Sequence, residues 1–502
     1  MSTQQQLLDA LRTDHLRTDL KGRSVRGGLL TLTSQGAQFV LQSISTVVLA
    51  RLLTPADFGL VAMVTAVTGL AAAFADLGLS EATIQRQDIT QDQVTALFWI
   101  NVGVGLGLTL ITASLAPFLA WFYREPRLKD ITLLLSLNFL MGGLRVQHDA
   151  LLKRQMRFWS VAIRDVLSLA LAVPLAILVV LKGGGYWGII VLPLTWTFTR
   201  MALSWLMVRW VPGLPRRNAQ VGSLVIFGGN VAASYLLYNL NRGADSVLIG
   251  WHLGVYPLGL YSRAYNLLML PVRQLNIPVS SVAIPIFSRL HSDPERLARF
   301  YLRAASLIMW IATPVFGYLF VAAQPVIVLV LGRQWHAAAP VFQILVISAL
   351  GQLLLDSTVW LFVSRGQSAQ LFKLLLVISP IIVGSFAVGL PFGIRGVALS
   401  GSLALLAILP WILKYAFRGT PLTLTRLGQA ILCPITLSFA GICLAELTLR
   451  LFAPQRIVPQ LLVAALGFAM AYLLSMVARP VRKEVMSLRG LASELRVSGQ
   501  TV

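Results

Sequence analysis

Charged residues are scarce in this chain. They make up 12% of its 502 residues, while hydrophobic residues make up 57%. Soluble globular proteins carry about a quarter charged residues, so this composition excludes that class. The apolar residues occur in runs of the length, about 20 residues, that a helix needs to cross a bilayer. The sequence therefore predicts an all-α polytopic membrane protein.

Reactive and metal-binding residues are also few. The two cysteines, Cys433 and Cys443, lie in one apolar span, so neither a disulfide framework nor a metal site is expected. The five histidines are scattered singly and are interpreted as packing or interfacial residues. No Walker sequence, GxSxG motif or paired His and acid signature occurs, and no loop is long enough for a catalytic domain. We therefore expect a protein that is not an enzyme and has no cofactor.

Acidic residues are outnumbered by basic ones, 19 to 41, giving a formal net charge of +22. Such an excess could indicate nucleic-acid binding, but the lysines and arginines lie mostly between the apolar spans. With a cytoplasmic N-terminus, 29 of them fall on the inner side and 10 on the outer side. This asymmetry follows the positive-inside rule. It predicts that both termini are cytoplasmic and that nucleic acid is not a partner.

The chain has no apolar h-region before residue 27, so no cleavable signal peptide is expected. Fourteen transmembrane helices are predicted, in two pseudo-symmetric six-helix lobes followed by two C-terminal helices. The predicted organisation is an N-terminal tail at 1–28, an N-lobe at 29–208 (TM1–6), a C-lobe at 221–417 (TM7–12), TM13–14 at 427–478, and a C-terminal tail at 479–502.

The division into lobes is based on a repeat with an offset of two hundred residues. The first segment carries a polar stripe at three- and four-residue steps, namely Thr31, Ser34, Gln38, Gln42 and Ser45. The matching stripe is Asn230, Ser234, Tyr238, Asn241 and Asp245. Transporters are commonly built from such repeats. Polar groups at this depth need partners or water, so the first stripe is expected to face a protein interior or a cavity.

Several motifs carry a family resemblance between about residues 24 and 418. They are LARLLTPADFGLVAM, DLGLSEATIQR, LGLYSRAYNLLMLP, IPIFSRL and LGRQW. They resemble the polysaccharide-unit (Wzx-type) flippases of the multidrug/oligosaccharidyl-lipid/polysaccharide exporter superfamily, especially the colanic-acid and teichuronic-acid exporter-like branch. The resemblance implies a lipid-linked oligosaccharide substrate, turned from the inner to the outer leaflet of the bacterial cytoplasmic membrane for exopolysaccharide or lipopolysaccharide assembly. It also implies two six-helix lobes around a central cavity, with membrane lipids, a glycan polymerase and a chain-length regulator as partners.

The substrate chemistry selects candidate binding residues. A pyrophosphate requires cations, and the arginine fork matches phosphate oxygens. Arg263 and Arg273 lie inside one span, and Arg51 ends the first span where related lipid II flippases have an arginine; those flippases also have arginines where this chain has glutamines. Snorkelling or pairing with an acid is the alternative for these arginines. Candidates for sugar binding, or alternatively for helix–helix contacts, are Gln38, Gln42, Asn230, Tyr238, Asn241 and Asn266.

Acids inside the spans are candidates for H⁺ or Na⁺ coupling, namely Asp76, Asp356 and Glu446. Each could equally cap a helix or pair with an arginine. Three functions remain open: a lipid-linked oligosaccharide flippase, a cation-coupled multidrug or small-molecule antiporter on the same fold, and a membrane-embedded glycan-assembly enzyme. The intramembrane arginines favour the first over the second, and the short outer loops argue against the third.

Overall fold

The structure is a computed structural model that describes residues 20–72, 78–85, 89–208, 210–214, 243–290, 293–452 and 454–475. These residues form helices joined by short turns, and no strand occurs among them. The prediction of an all-α polytopic membrane protein is confirmed. The predicted helix at 221–243, with four of the five residues of the second polar stripe, lies outside the described residues.

Contacts divide the chain into two compact units between Gly259 and Leu260. The helices of the first unit are α1 (Leu20–Leu52), α2 (Pro55–Ala72), α3 (Leu79–Gln85), α4 (Gln91–Ser114), α5 (Ala116–Phe122), α6 (Leu128–Arg154), α7 (Phe158–Val179), α8 (Trp187–Val208) and α9 (243–253). The next helix, α10 (Val255–Arg289), contains the division between the units.

The second unit continues through seven more helices. They are α11 (Pro294–Val321), α12 (Ala323–Leu331), α13 (Ala339–Ser364), α14 (Ser368–Gly389), α15 (Gly393–Ala416), α16 (Leu424–Phe452) and α17 (Ile457–Ser475). The side chain of Asp293 caps α11 by accepting a hydrogen bond from the backbone N–H of Arg296. The two C-terminal helices pack on each other and on α11, where the Thr313 hydroxyl donates to the carbonyl of Pro434 at 3.1 Å.

The order of helix packing is the same in the two units. In the first, α4 packs on α6, α7 on α8, and α6 on α8. In the second, α11 packs on α13, α14 on α15, and α13 on α15. These helices occupy corresponding places in the predicted lobes, and a common pattern of this kind is what a duplication would produce; the division into lobes stays a prediction.

The helix surfaces have the polarity that a bilayer requires. Nine helical stretches of the described residues are long and apolar enough to cross a membrane. Large apolar side chains remain exposed along them, including Leu206 at 70% and Leu466 at 68%. Contiguous exposed apolar surface of this kind is solvated by lipid rather than by water. The chain is therefore a multi-pass membrane protein.

Some helices differ in extent from the predicted spans. The sequence predicts the fourth span at 131–147 and the fifth at 161–181, but α6 continues to Arg154 and α7 begins at Phe158. Asp149, beyond the predicted end of the fourth span, has the polarity of a loop residue, but in the structure it lies inside α6 and pairs with Arg164 on α7. The predicted span at 304–331 is divided at Ala322 into α11 and α12. Helix α10 is continuous through Pro271, Pro278 and Pro285, although proline removes a backbone donor and allows a kink.

Candidate functional site

Helix α10 has a buried side and a polar side. Leu268 and Val272 are almost fully buried, whereas Arg263 is half-buried. At about 100° of rotation per residue, Arg263 lies about 140° from Leu268 and about 180° from Val272. Arg263 therefore lies away from these two residues, although Leu260, about 60° from it, is also buried, as is the Nε atom of Arg263 itself.

Two further candidate residues lie on this polar side. Asn266 and Arg273 are both exposed. Their seven-residue separation places them within about 20° of each other, and both are within about 80° of Arg263. Arg263 and Arg273 are about 15 Å apart along the axis. The helix thus presents two guanidinium groups and one amide along one side, spaced to contact separate parts of an extended ligand.

The candidate residues of α1 are placed differently. Arg51 is exposed and is the second-last residue of the helix, so it lies at an end rather than in mid-span. Gln38 is half-buried and donates from its amide to the carbonyl of Ser34 at 3.3 Å, while Gln42 is exposed. The two amides are one turn apart on the same side of the helix. They could contact a polar ligand there.

The remaining sugar-site candidates and one acid lie outside the described residues. These are Asn230, Tyr238, Asn241 and Asp76. Their roles stay predictions.

A series of hydrogen-bonded side chains connects α10 to α13, and the carboxylate of Asp356 on α13 is its acceptor. One carboxylate oxygen accepts from the amide of Asn276 at 3.0 Å, and the other accepts from Gln352 at 2.8 Å. The Ser280 hydroxyl donates to the amide oxygen of Asn276 at 2.9 Å and accepts from the indole of Trp360 at 2.8 Å. Amide donors stabilise a carboxylate without neutralising its charge, so a half-buried carboxylate held by them can still take up a proton or a cation.

Glu446 on α16 has a different environment. It is exposed and forms an ion pair with Arg450 one turn away, at 3.2 Å. Exposed pairs of this spacing contribute about 0.3–0.5 kcal/mol to helix stability in water. This geometry corresponds to the pairing alternative given for Glu446 from the sequence. Among the described residues, no group of His, Cys, Asp and Glu side chains is arranged to hold a metal ion.

A charged network between α6, α7 and α8 was not identified from the sequence. Asp149 on α6 accepts hydrogen bonds from Arg145, from Arg164 on α7 and from the Ser204 hydroxyl on α8, the last at 2.7 Å. Arg164 also pairs with its neighbour Asp165 at 2.7 Å. Its side chain is only 2% exposed. Two carboxylates and one hydroxyl therefore surround a buried guanidinium group.

Arg200 on α8 completes this network. Its Nε lies 3.0 Å from the Asp165 carboxylate, and its guanidinium carbon lies 5.3 Å from the ring centre of Trp196. The sequence contained one usable signal: Asp149, Asp165 and Arg200 interrupt apolar segments at positions well inside a helix. This signal was concealed because the arginines of the network were assigned to the inner loops in the count of basic residues.

Solved structures with related folds identify the architecture. A lipid II flippase MurJ in an inward closed conformation superposes with a TM-score of 0.71 and 13% identity, over 91% of this chain and 99% of that one. An inward-facing multidrug resistance MATE family transporter of the MOP superfamily gives a TM-score of 0.60 and 13% identity, over 78% of this chain and 95% of that one. The fold is thus the all-α fold of the MOP transporters.

The sequence matches a narrower group. Residues 48–340, more than half of the chain, match the family model described as polysaccharide biosynthesis protein, and the chain belongs to this family. Teichuronic acid biosynthesis protein TuaB of Bacillus subtilis (strain 168) is 25% identical over 371 residues, covering 73% of this chain and 76% of TuaB. Lipopolysaccharide biosynthesis protein WzxC of Escherichia coli (strain K12) is 24% identical over 396 residues, 77% of this chain and 78% of WzxC. The family resemblance found in the motifs is confirmed.

Proposed function

We propose that this protein is a flippase for an oligosaccharide carried on a polyprenyl pyrophosphate. It moves this lipid from the inner to the outer leaflet of the bacterial cytoplasmic membrane by alternating access, with both termini in the cytoplasm. The product serves exopolysaccharide or other cell-surface glycan assembly. Family membership supports the pathway, since relatives include the succinoglycan biosynthesis transport protein ExoT of Rhizobium meliloti (strain 1021), which is 26% identical over 363 residues. The MurJ-like fold supports a lipid-linked substrate.

The proposal of a pyrophosphate-bearing substrate rests on the positive charge on the polar side of α10. Arg263 and Arg273 lie on that side within a membrane-crossing helix. Placing an arginine at mid-helix costs about 2.5–3.5 kcal/mol on insertion scales. A pyrophosphate offsets this cost by charge-assisted hydrogen bonds to the guanidinium groups. The amide of Asn266 on the same side of α10 would then contact sugar hydroxyls, and Gln38 and Gln42 stay sequence-based candidates for sugar binding.

A cation exporter needs carboxylates that are available to its substrate. Asp149 and Asp165 are instead paired with arginines. The balance of these groups favours an anionic substrate over a cationic drug.

We assign transport rather than catalysis, with Asp356 as the first candidate for H⁺ or Na⁺ coupling. A glycan polymerase and a chain-length regulator would receive the product in the same membrane.

A deletion strain tests this function. Removing the protein should abolish one surface glycan and cause its polyprenyl-linked repeat unit to accumulate, because synthesis continues without translocation. The wild-type chain supplied in trans should restore the glycan and return the lipid-linked pool to its normal level. A strain that keeps all of its surface glycans and its lipid-linked pool unchanged would overturn the proposal.

A further inference from the structure

The charged network of α6, α7 and α8 carries more positive than negative charge. It contains three guanidinium groups, those of Arg145, Arg164 and Arg200, and two carboxylates. Arg164 bonds to both carboxylates and to Ser204. Each of the other two arginines contacts only one carboxylate. One positive charge is therefore not compensated within the network.

The network also contains buried hydrogen-bond donors that lack acceptors among the described residues. An anion would satisfy both these donors and the excess positive charge. Arg145 Nε, Arg200 Nε and the indole nitrogen of Trp196 are buried and donate to no described acceptor, and Arg200 Nε is not aligned for a hydrogen bond to its ion-pair partner. All three are donors. Buried polar groups in native proteins are almost always satisfied. A ligand with several acceptor oxygens and negative charge would meet this deficit.

The position of the network suits a ligand from the lipid phase. Its members lie about 10 Å inside the ends of α6, α7 and α8, at the ends assigned to the cytoplasmic side. The side chains of Arg145 and Arg200 are 18% and 22% exposed, so part of each lies at the protein surface while its Nε atom is buried beneath. Ion pairs through Asp149, Arg164 and Asp165 connect the two arginines. An anion that contacts both would compensate the excess positive charge.

We propose that Arg145 and Arg200, with the indole of Trp196, bind the phosphodiester group of an anionic membrane lipid. Asp149 and Asp165 act as positioning residues that hold the two guanidinium groups. A phosphodiester carries one negative charge and so neutralises the excess of one. The pyrophosphate of a lipid-linked sugar carries two, which would leave the site with a negative excess. This site lies on helices other than α10 and does not depend on the proposed transport function.

Thermal unfolding of the purified full chain tests the site. Phosphatidylglycerol added to detergent micelles should raise the Tm of the wild type by about 2 °C or more, relative to phosphatidylcholine at equal ionic strength, because a ligand of the folded state stabilises it. In Arg200→Gln the charges balance, so its Tm without added lipid should equal or exceed that of the wild type. The phosphatidylglycerol effect should disappear in this variant.

Arg127→Gln is the matched control. Arg127 pairs with Glu125 at 2.7 Å on the same unit, is half exposed and also contributes one positive charge. This variant should keep the full phosphatidylglycerol effect. Equal stabilisation of the wild type and Arg200→Gln would overturn the proposal, as would no stabilisation of the wild type.

Two further results would count against a lipid site. If inorganic pyrophosphate stabilises the wild type through Arg200 and phosphatidylglycerol does not, the site serves a diphosphate and the lipid assignment is wrong. If Arg200→Gln and Arg145→Gln both lose their folded state, the network is structural and the proposal fails. Retention of phosphatidylglycerol by the wild type but not by Arg145→Gln in native mass spectrometry would support it.

Discussion

Gly59 on α2 and Gly259 on α10 pack directly against each other's helices. A Cβ atom placed on Gly59 would lie 1.9 Å from the carbonyl oxygen of Val255, and one placed on Gly259 would lie 1.7 Å from that of Pro55. The two glycines are two hundred residues apart in the sequence, and so are the two carbonyl groups. The contact therefore has the reciprocal form that an internal duplication produces, and only glycine permits this approach of two backbones.

Alanine at either glycine should destabilise the protein. The added methyl group meets a backbone oxygen and forces the helices apart, and overpacking of this kind costs about 1–3 kcal/mol. We expect Gly59→Ala and Gly259→Ala each to lower the Tm and the yield of monodisperse protein. Gly69→Ala on the same helix α2 is the control, since nothing lies within 4 Å of the place that its new methyl group would take. Equal Tm values for all three variants would contradict the close contact.

Replacing the arginines of α10 should impair transport without unfolding the chain. Loss of a charge-assisted contact in Arg263→Ala or Arg273→Ala removes about 1.5–3 kcal/mol, so transport should fall about tenfold or more. Lysine keeps the charge but not the fork and should restore activity only in part. Arg289→Ala, at the exposed end of the same helix, should transport normally. Surface glycan measured per folded molecule gives the comparison, and unchanged transport in folded alanine variants would exclude the anion role.

Asp356→Asn should uncouple transport from an ion gradient. The amide cannot take up a proton, but its oxygen can still accept from Asn276 and its NH2 group can donate to Gln352 once that side-chain amide turns over, so the fold should persist. Transport by the wild type should respond to an imposed H⁺ or Na⁺ gradient, and that response should vanish in Asp356→Asn. Glu446→Gln, which removes an exposed paired acid, should respond like the wild type. An unaltered gradient response in Asp356→Asn would assign Asp356 a structural role.

The basic residues predict the orientation of the chain in the membrane. Reporters fused after Arg217 and after Val502 should both be active only as cytoplasmic reporters, because the segregation of 29 to 10 lysines and arginines sets the inner side. Single cysteines introduced at the same places should resist labelling by impermeant reagents in intact cells. Labelling of either position from outside would reverse the orientation.

Apolar runs were sufficient to predict the helical class and most helix positions. The predicted span at 257–287 agrees closely with α10, since its flanking residues change sharply in polarity. The end of α6 could not be predicted, because Asp149 looks like a loop residue until its pairing with Arg164 on α7 is known. A charged side chain inside a membrane helix needs a partner, and here a second helix supplies it. Sequence spacing does not encode that partner.

The candidate sites were predicted to a similar, partial extent. Arg263, Asn266 and Arg273 were selected as chemically suited residues on one helix, and helical periodicity explains why they share a side. The hydrogen-bond partners of Asp356 were harder to predict from the sequence. Gln352 lies one turn from Asp356, so the sequence alone could associate the two. The hydrogen bonds that link Asp356 to Asn276, Ser280 and Trp360 form only because α10 lies against α13. Such tertiary contacts require the fold.

Lipid translocation by the purified protein tests the central claim most directly. Proteoliposomes would be loaded with a polyprenyl-pyrophosphate oligosaccharide whose sugar is accessible to an impermeant enzyme only in the outer leaflet. The account predicts that wild-type protein makes the inner-leaflet pool accessible at a rate about tenfold or more above that of Arg263→Ala, while protein-free vesicles show none. Equal rates for wild-type vesicles and protein-free vesicles, with the reconstituted protein shown to be folded, would contradict it.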